Sequence, residues 1–368
     1  MTAAALAALL LAPAPVRAAG TPSREARKTL ESANALYARA RYKEALLRYD
    51  KAMTYMDGWK TASGYRAVCR WTVGDARGAA EDAELALKLK PNDAQSYVAR
   101  GDAKLVTRDY SGAVQDFQQA IGLTPDDAFA HFGLGSALSA QGQDRAALKP
   151  LDNAVRLDPD FAAALLVRGT AHDRLRDFAS AIADYTEVLR VDPAFVWAKL
   201  YRAKSLREIK EFRRSLDDLN DFIDGNPDRM DAVYLRSNVK FLLGDYGGAV
   251  EDLDRVIEQD PRKGLAYSNR GQAKAMLGDK SGALADLRRA LELEPARRDK
   301  IQAAIDSLEA SAAGAARPKA DASEPVAVSV AERPMPAAPS GPKPLVGETL
   351  PEPPKRKAET EDDTFFIK

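Results

Sequence analysis

Seven prolines, Pro91, Pro125, Pro159, Pro193, Pro227, Pro261 and Pro295, stand 34 residues apart with no insertion between any two. A fixed period of this length makes a chain a stack of equivalent units, each burying its apolar face against the next, and so settles the architecture first. Set on that period the sequence divides into eight units, 26–59, 60–93, 94–127, 128–161, 162–195, 196–229, 230–263 and 264–297. The eighth column reads Ala33, Ala67, Gly101, Gly135, Gly169, Ala203, Ser237 and Gly271, and the twentieth reads Ala45, Ala79, Ala113, Ala147, Ala181, Ser215, Ala249 and Ala283. All are small, as two antiparallel helices about 8–10 Å apart require where they cross. Turn signals such as Gly74-Asp75 and Gly244-Asp245-Tyr246 lie between the helices, and the proline ends the second one. Large apolar residues such as Tyr49, Phe117, Leu151 and Tyr185 fill an inward column, and Ile121, Val155 and Leu189 repeat it one turn on. Each unit is therefore predicted to be a helical hairpin.

With small residues at the crossing, an aromatic or Leu after the alanine and a closing proline, the chain resembles the tetratricopeptide repeat (TPR) family over 26–297. The resemblance implies an all-α fold, a right-handed α-solenoid of helix-turn-helix hairpins with polar ends. Unit one departs from the pattern, carrying Asp57-Gly58-Trp59 where the proline belongs. Residues 298–312 put Ile301, Ile305 and Leu308 on one face, which predicts a capping helix. The resemblance also implies a concave groove, lined by the first helices, that holds a peptide or helix of a protein partner. Carried over by column, the groove would draw on Asn34, Tyr65, Trp71, Asp102, Phe129, Asp173, Trp197, Tyr201, Lys204, Tyr234, Asn238 and Asn269. Tyr37, Phe132 and Phe241 share the stripe and are equally placed to pack between adjacent units. One branch of the family grips chaperone carboxylate termini with a Lys one turn before an Asn. Here Leu30 and Tyr234 stand in that place before Asn34 and Asn238, so the grip is not matched.

Six units pair an Arg in column seven with an Asp in column twenty-three: Arg66 with Asp82, Arg100 with Asp116, Arg168 with Asp184, Arg202 with Asp218, Arg236 with Asp252 and Arg270 with Asp286. Units one and four lose both partners together, having Ser32 with Arg48 and Leu134 with Pro150. The covariation within one chain predicts an ion pair between the helices of each hairpin. Pro150 falls inside a second helix, where a kink is expected. Cys69 occupies a column otherwise filled mostly by alanine and reads as a packing residue.

The 54 basic residues are balanced by 54 acidic ones, which leaves no global drive toward nucleic acid. One cysteine and two histidines exclude a disulfide and a thiolate zinc site, and no catalytic or nucleotide-binding motif is present. Neither enzyme activity nor a cofactor is expected. The apolar run from Ala3 to Ala12 is too short to span a bilayer, and Val16-Arg17-Ala18 after it suits signal cleavage, so 1–18 is read as a signal peptide. A Pro- and Ala-rich tail, 313–368, is expected to be disordered. With these, the resemblance implies an exported, non-catalytic interaction scaffold of the bacterial envelope, with a cytosolic co-chaperone or adaptor as the alternative.

Overall fold

The computed structural model describes residues 24–55 and 60–312. Unit one forms α1 (Arg24–Ala38) and α2 (Tyr42–Thr54), and unit two forms α3 (Lys60–Val73) and α4 (Ala76–Leu87). Units three and four give α5 (Ala94–Val106), α6 (Tyr110–Leu123), α7 (Ala128–Ala140) and α8 (Asp144–Leu157). Units five and six give α9 (Ala162–Arg174), α10 (Phe178–Val191), α11 (Val196–Glu208) and α12 (Phe212–Gly225). Units seven and eight give α13 (Met230–Leu242), α14 (Tyr246–Gln259), α15 (Gly264–Met276) and α16 (Lys280–Leu293). A 3-10 turn at Pro295–Arg297 leads into α17 (Arg298–Ala312). Among the described residues every regular element is helical, and the fold is the expected α-solenoid.

The turns explain why each first helix stops. The fifteenth residue of every unit has positive φ, from 57° at Ala40 to 91° at Gly74. A left-handed residue lets the next N–H turn back onto the helix end. Accordingly the Asp75 N–H donates to the Arg70 carbonyl at 2.8 Å and the Asp245 N–H to the Lys240 carbonyl at 2.9 Å. The same Asp then starts the second helix: the carboxylates of Asp75, Asp109, Asp177, Asp245 and Asp279 each accept the N–H three residues on. Inside the hairpin the small columns meet large ones. A Cβ on Gly135 would lie 2.5 Å from the Leu151 side chain.

All six column pairs form, with guanidinium–carboxylate distances of 2.5–2.7 Å. The sequence reading had missed two further sets of partners. In units two, three, seven and eight the same Asp meets a second cation, Arg70, Lys104, Lys240 or Lys274. The Arg also reaches back to the preceding unit, Arg66 to Asp50, Arg168 to Asp152 and Arg270 to Asp254. One guanidinium therefore ties the hairpin and the stack at once.

The first helices touch one another along an inner layer, α3 on α5, α5 on α7, α7 on α9 and α9 on α11, and each second helix packs outside on the next first helix. At the carboxyl end Ile301 and Ile305 of α17 are buried beside Leu287 and Ala290 of α16. Helix α8 runs unbroken from Asp144 to Leu157 with Pro150 buried inside it. Residues 1–18, read as a signal peptide, the end of unit one at Asp57-Gly58-Trp59 and the tail from 313 on all lie outside the described residues.

Candidate partner-binding groove

The residues expected to line one continuous groove fall into two different settings. In the first, Tyr65 and Asp102 are covered by the chain itself and Phe129 is half-buried beside them. Tyr37 of α1 stands edge-on to Tyr65 at 5.8 Å and lies 5.9 Å from Phe129 and 6.3 Å from Phe132, ring centre to centre. Phe161 continues the cluster, 5.1 Å from Phe129 and 4.9 Å from Phe132. Of the two readings open for Tyr37, packing between adjacent units holds on Tyr65 of unit two, and the ring reaches unit four as well, because the inner helices converge sharply. Gly64 of α3 approaches α5 so closely that a Cβ there would lie 2.2 Å from the Ala99 carbonyl oxygen.

Asp102 is the polar member of this cluster, 3% exposed, and its Oδ2 makes no hydrogen bond. Burial, with a smaller contribution from Asp127, pushes its carboxyl well above the usual carboxylate range. Cys69, beside the same tyrosines, is buried and free, and burial raises its thiol as well. Asn34 is occupied within its own hairpin, accepting the Tyr49 hydroxyl at 2.7 Å. Trp71 stays half-buried on α3.

The second setting is the inner layer of units five to eight, where the remaining expected residues form a chain of polar links. The Asp173 carboxylate accepts the Tyr185 hydroxyl at 2.7 Å and the Ser205 hydroxyl at 2.6 Å, joining units five and six. Tyr201 lies 5.7 Å from the Tyr185 ring, with the Lys204 ammonium 5.8 Å from its own ring centre. Trp197, half-buried, meets Phe222 edge-on at 5.3 Å and has the Arg229 guanidinium 4.7 Å from its ring centre. Asn269 donates to both the Tyr234 hydroxyl and the Asn238 Oδ1 at 2.9 Å, while its own Oδ1 is buried without a hydrogen bond. Burial pushes the Tyr234 phenol up to about 12, against the opposing pull of Arg297 and Arg207. Lys263 stands 4.6 Å from the Tyr234 ring centre, so this stretch sets cations beside aromatic rings, of which Tyr201 and Tyr234 are buried and Trp197 is not.

Among the described residues no group of His, Cys, Asp and Glu is arranged to hold a metal ion, and no helix is long and apolar enough to cross a membrane. His131 is held by the Pro125 carbonyl at 2.9 Å and His172 lies 3.3 Å from Asp177.

A ladder of right-sized hairpins with small crossing residues and an inner layer of first helices defines an α-solenoid built for protein contact. The chain belongs to the tetratricopeptide repeat family: family models described as TPR repeat and tetratricopeptide repeat match 109–142 and 132–195, 200–261 and 238–298. A comparison with curated proteins gave no match. Among solved structures it is similar to the Cut9–Hcn1 hetero-tetramer of the APC/C, with a TM-score of 0.58 and 13% identity over 76% of this chain and 55% of that one. YrrB, described as a TPR protein with an unusual peptide-binding site, gives 0.47 at 22% identity, covering 50% of this chain and 94% of that one. PilF of Pseudomonas aeruginosa gives 0.48 at 14% identity, covering 57% and 97%. The match to the Cut9–Hcn1 structure, at 13% identity, shows a shared fold alone.

Proposed function

We propose that the chain is a non-catalytic scaffold that holds a peptide or helical segment of a partner protein along the inner layer of units five to eight, in the bacterial cell envelope after removal of residues 1–18. The observation that carries this reading is Trp197, a half-buried ring with Arg229 at 4.7 Å, set beside Tyr201 and Tyr234 on the first helices of units six and seven. Trp, Tyr and Arg are the residue types that dominate binding energy at protein interfaces, since they bring large area with a polar handle. The part-exposed face of Trp197 gives a partner segment a ring to pack on, with the guanidinium of Arg229, itself held by Asp231, beside it.

The test is affinity capture from native extract with the full chain and with a Trp197→Ala, Tyr234→Ala variant that retains its helical circular dichroism. A partner captured by the first and lost by the second supports the groove. Capture of the same partner by both moves binding to the outer face or the tail and removes the groove assignment. The mass of the mature chain decides export, since processing after Ala18 leaves Ala19 as the first residue.

A further inference from the structure

The left-handed turn residue of each hairpin is exposed in units two to eight. In unit one it is Ala40, 5% exposed, with Ala38 and Tyr42 buried on either side. The cover comes from far along the chain. Helix α1 reaches α9, and the tip shares one apolar cluster with Phe132, Phe161, Ala163 and Ala164 of units four and five. A hairpin stacked only on its neighbour has no reason to bury its turn.

We propose that the first hairpin is an intramolecular ligand of the concave face: its tip, Tyr37 to Tyr42, seals the aromatic surface of units two to five, and a partner segment reaches that surface only when the hairpin swings out. This goes beyond the binding reading for units five to eight and does not depend on it. The receiving surface, Tyr65, Phe129 and Phe132 with Phe161 behind them, is of the type a groove offers a ligand, and the Tyr37 ring occupies it edge-on and tilted as a bound aromatic side chain would. The hairpin is the first of the array and, like unit four, does without the ladder pair, having Ser32 and Arg48, and no proline closes it. Its bonds to unit two include Arg66 to Asp50, and Tyr49 stacks on Tyr65 at 6.0 Å. Beneath the seal, the unpartnered Oδ2 of Asp102 is a polar atom that water would satisfy in the open form, so closure carries a standing cost.

Ala40→Arg in the full chain separates the seal from the hairpin fold. Arg108 and Arg176 hold the same turn position with φ of 63° and 61°, so arginine suits the turn, yet a site 5% exposed against apolar side chains has no room for a guanidinium. Cys69, the one cysteine, reports on the seal, because its buried thiol lies in the same apolar cluster as Tyr37 and Tyr42. We expect Ala40→Arg to keep its helical circular dichroism while Cys69 reacts with 5,5′-dithiobis(2-nitrobenzoic acid) about tenfold faster or more, as local opening requires. The largest dimension in solution scattering should increase, and Gly142→Arg, at the exposed turn of unit four, should behave as wild type. A folded Ala40→Arg chain with the wild-type thiol rate and dimension would overturn the proposal, as would a wild-type thiol already reacting at the rate of the denatured chain. Should Ala40→Arg lose helix, Phe132→Ser on the receiving surface decides by the same two readouts. None of these outcomes touches Trp197 or Tyr234, so the two readings fail separately.

Discussion

Arg168 shows how much one residue carries in this fold. It donates to Asp184 within its hairpin and to Asp152 of the unit before, the latter at 2.9 Å. Removing it leaves Asp184, 5% exposed, without its cation, although burial already pushes that carboxyl upward. Arg168→Ala should therefore destabilise by about 3 kcal/mol or more in urea unfolding. Replacing both partners, Arg168→Leu with Asp184→Ala, should cost far less, since unit four stacks with Leu134 and Pro150 in those columns. Asp102 gives the opposite sign. Its carboxyl is raised above the usual 3.8, so the folded chain binds its proton more tightly than the unfolded chain, and the stability linked to it is full below that value and lost as pH rises toward the shifted one. Asp102→Asn should gain on wild type with rising pH, by at most about 1.4 kcal/mol per pH unit. Equal pH profiles for the two chains would show that the carboxylate is solvated. The in-hairpin pairs were legible because two columns vary together. The bonds to the preceding unit were not, because their column reads Asp50, Glu84, Gln118, Asp152, Thr186, Asn220, Asp254 and Arg288, too mixed to mark a partner.

At the scale of the element, the hairpin was legible almost to the residue, because proline, the crossing columns and the turn Asp each act within one unit and repeat. The turn still holds unused stability. Arg108 sits at φ 63° in a position where Gly74, Gly142, Gly244 and Gly278 stand in other units. A Cβ in the left-handed region crowds the carbonyl, so Arg108→Gly should stabilise the chain by about 0.5–1 kcal/mol, offset in part by the greater freedom of glycine when unfolded. Thermal unfolding of the two chains measures it. Pro150 was expected to kink its helix; α8 stays helical from Asp144 to Leu157, with Leu151 and Ala154 buried beside the proline. Burial of the apolar face outweighs the loss of one backbone bond.

The whole molecule was the least legible level, since the repeat specifies what each unit does to the next and not how the path curves over four of them. Tyr65, Asp102 and Phe129 read as groove by column, yet Tyr65 and Asp102 are interior and Phe129 is half-buried where unit one closes on them. The curvature originates where α3 meets α5. Ala62, Ser63 and Gly64 on α3 are small enough for its backbone to approach Ala99, and a Cβ on Gly64 would stand 2.2 Å from the Ala99 carbonyl oxygen, a distance no real contact adopts. Unit one rides on unit two and reaches unit four through a helix of 15 residues, about 20 Å long, so a small parting at this junction is magnified at the tip. Gly64→Ala should therefore do two things together: destabilise by about 1–3 kcal/mol through the forced separation, and lift Tyr37 and Ala40 from Phe132. Solution scattering should show a larger maximum dimension for Gly64→Ala and an unchanged one for Gly122→Ala, whose Cβ would meet nothing within 4 Å. Wild-type scattering from a stable Gly64→Ala chain would mean that the curvature is set elsewhere and that the close approach of α3 to α5 follows from closure instead of causing it.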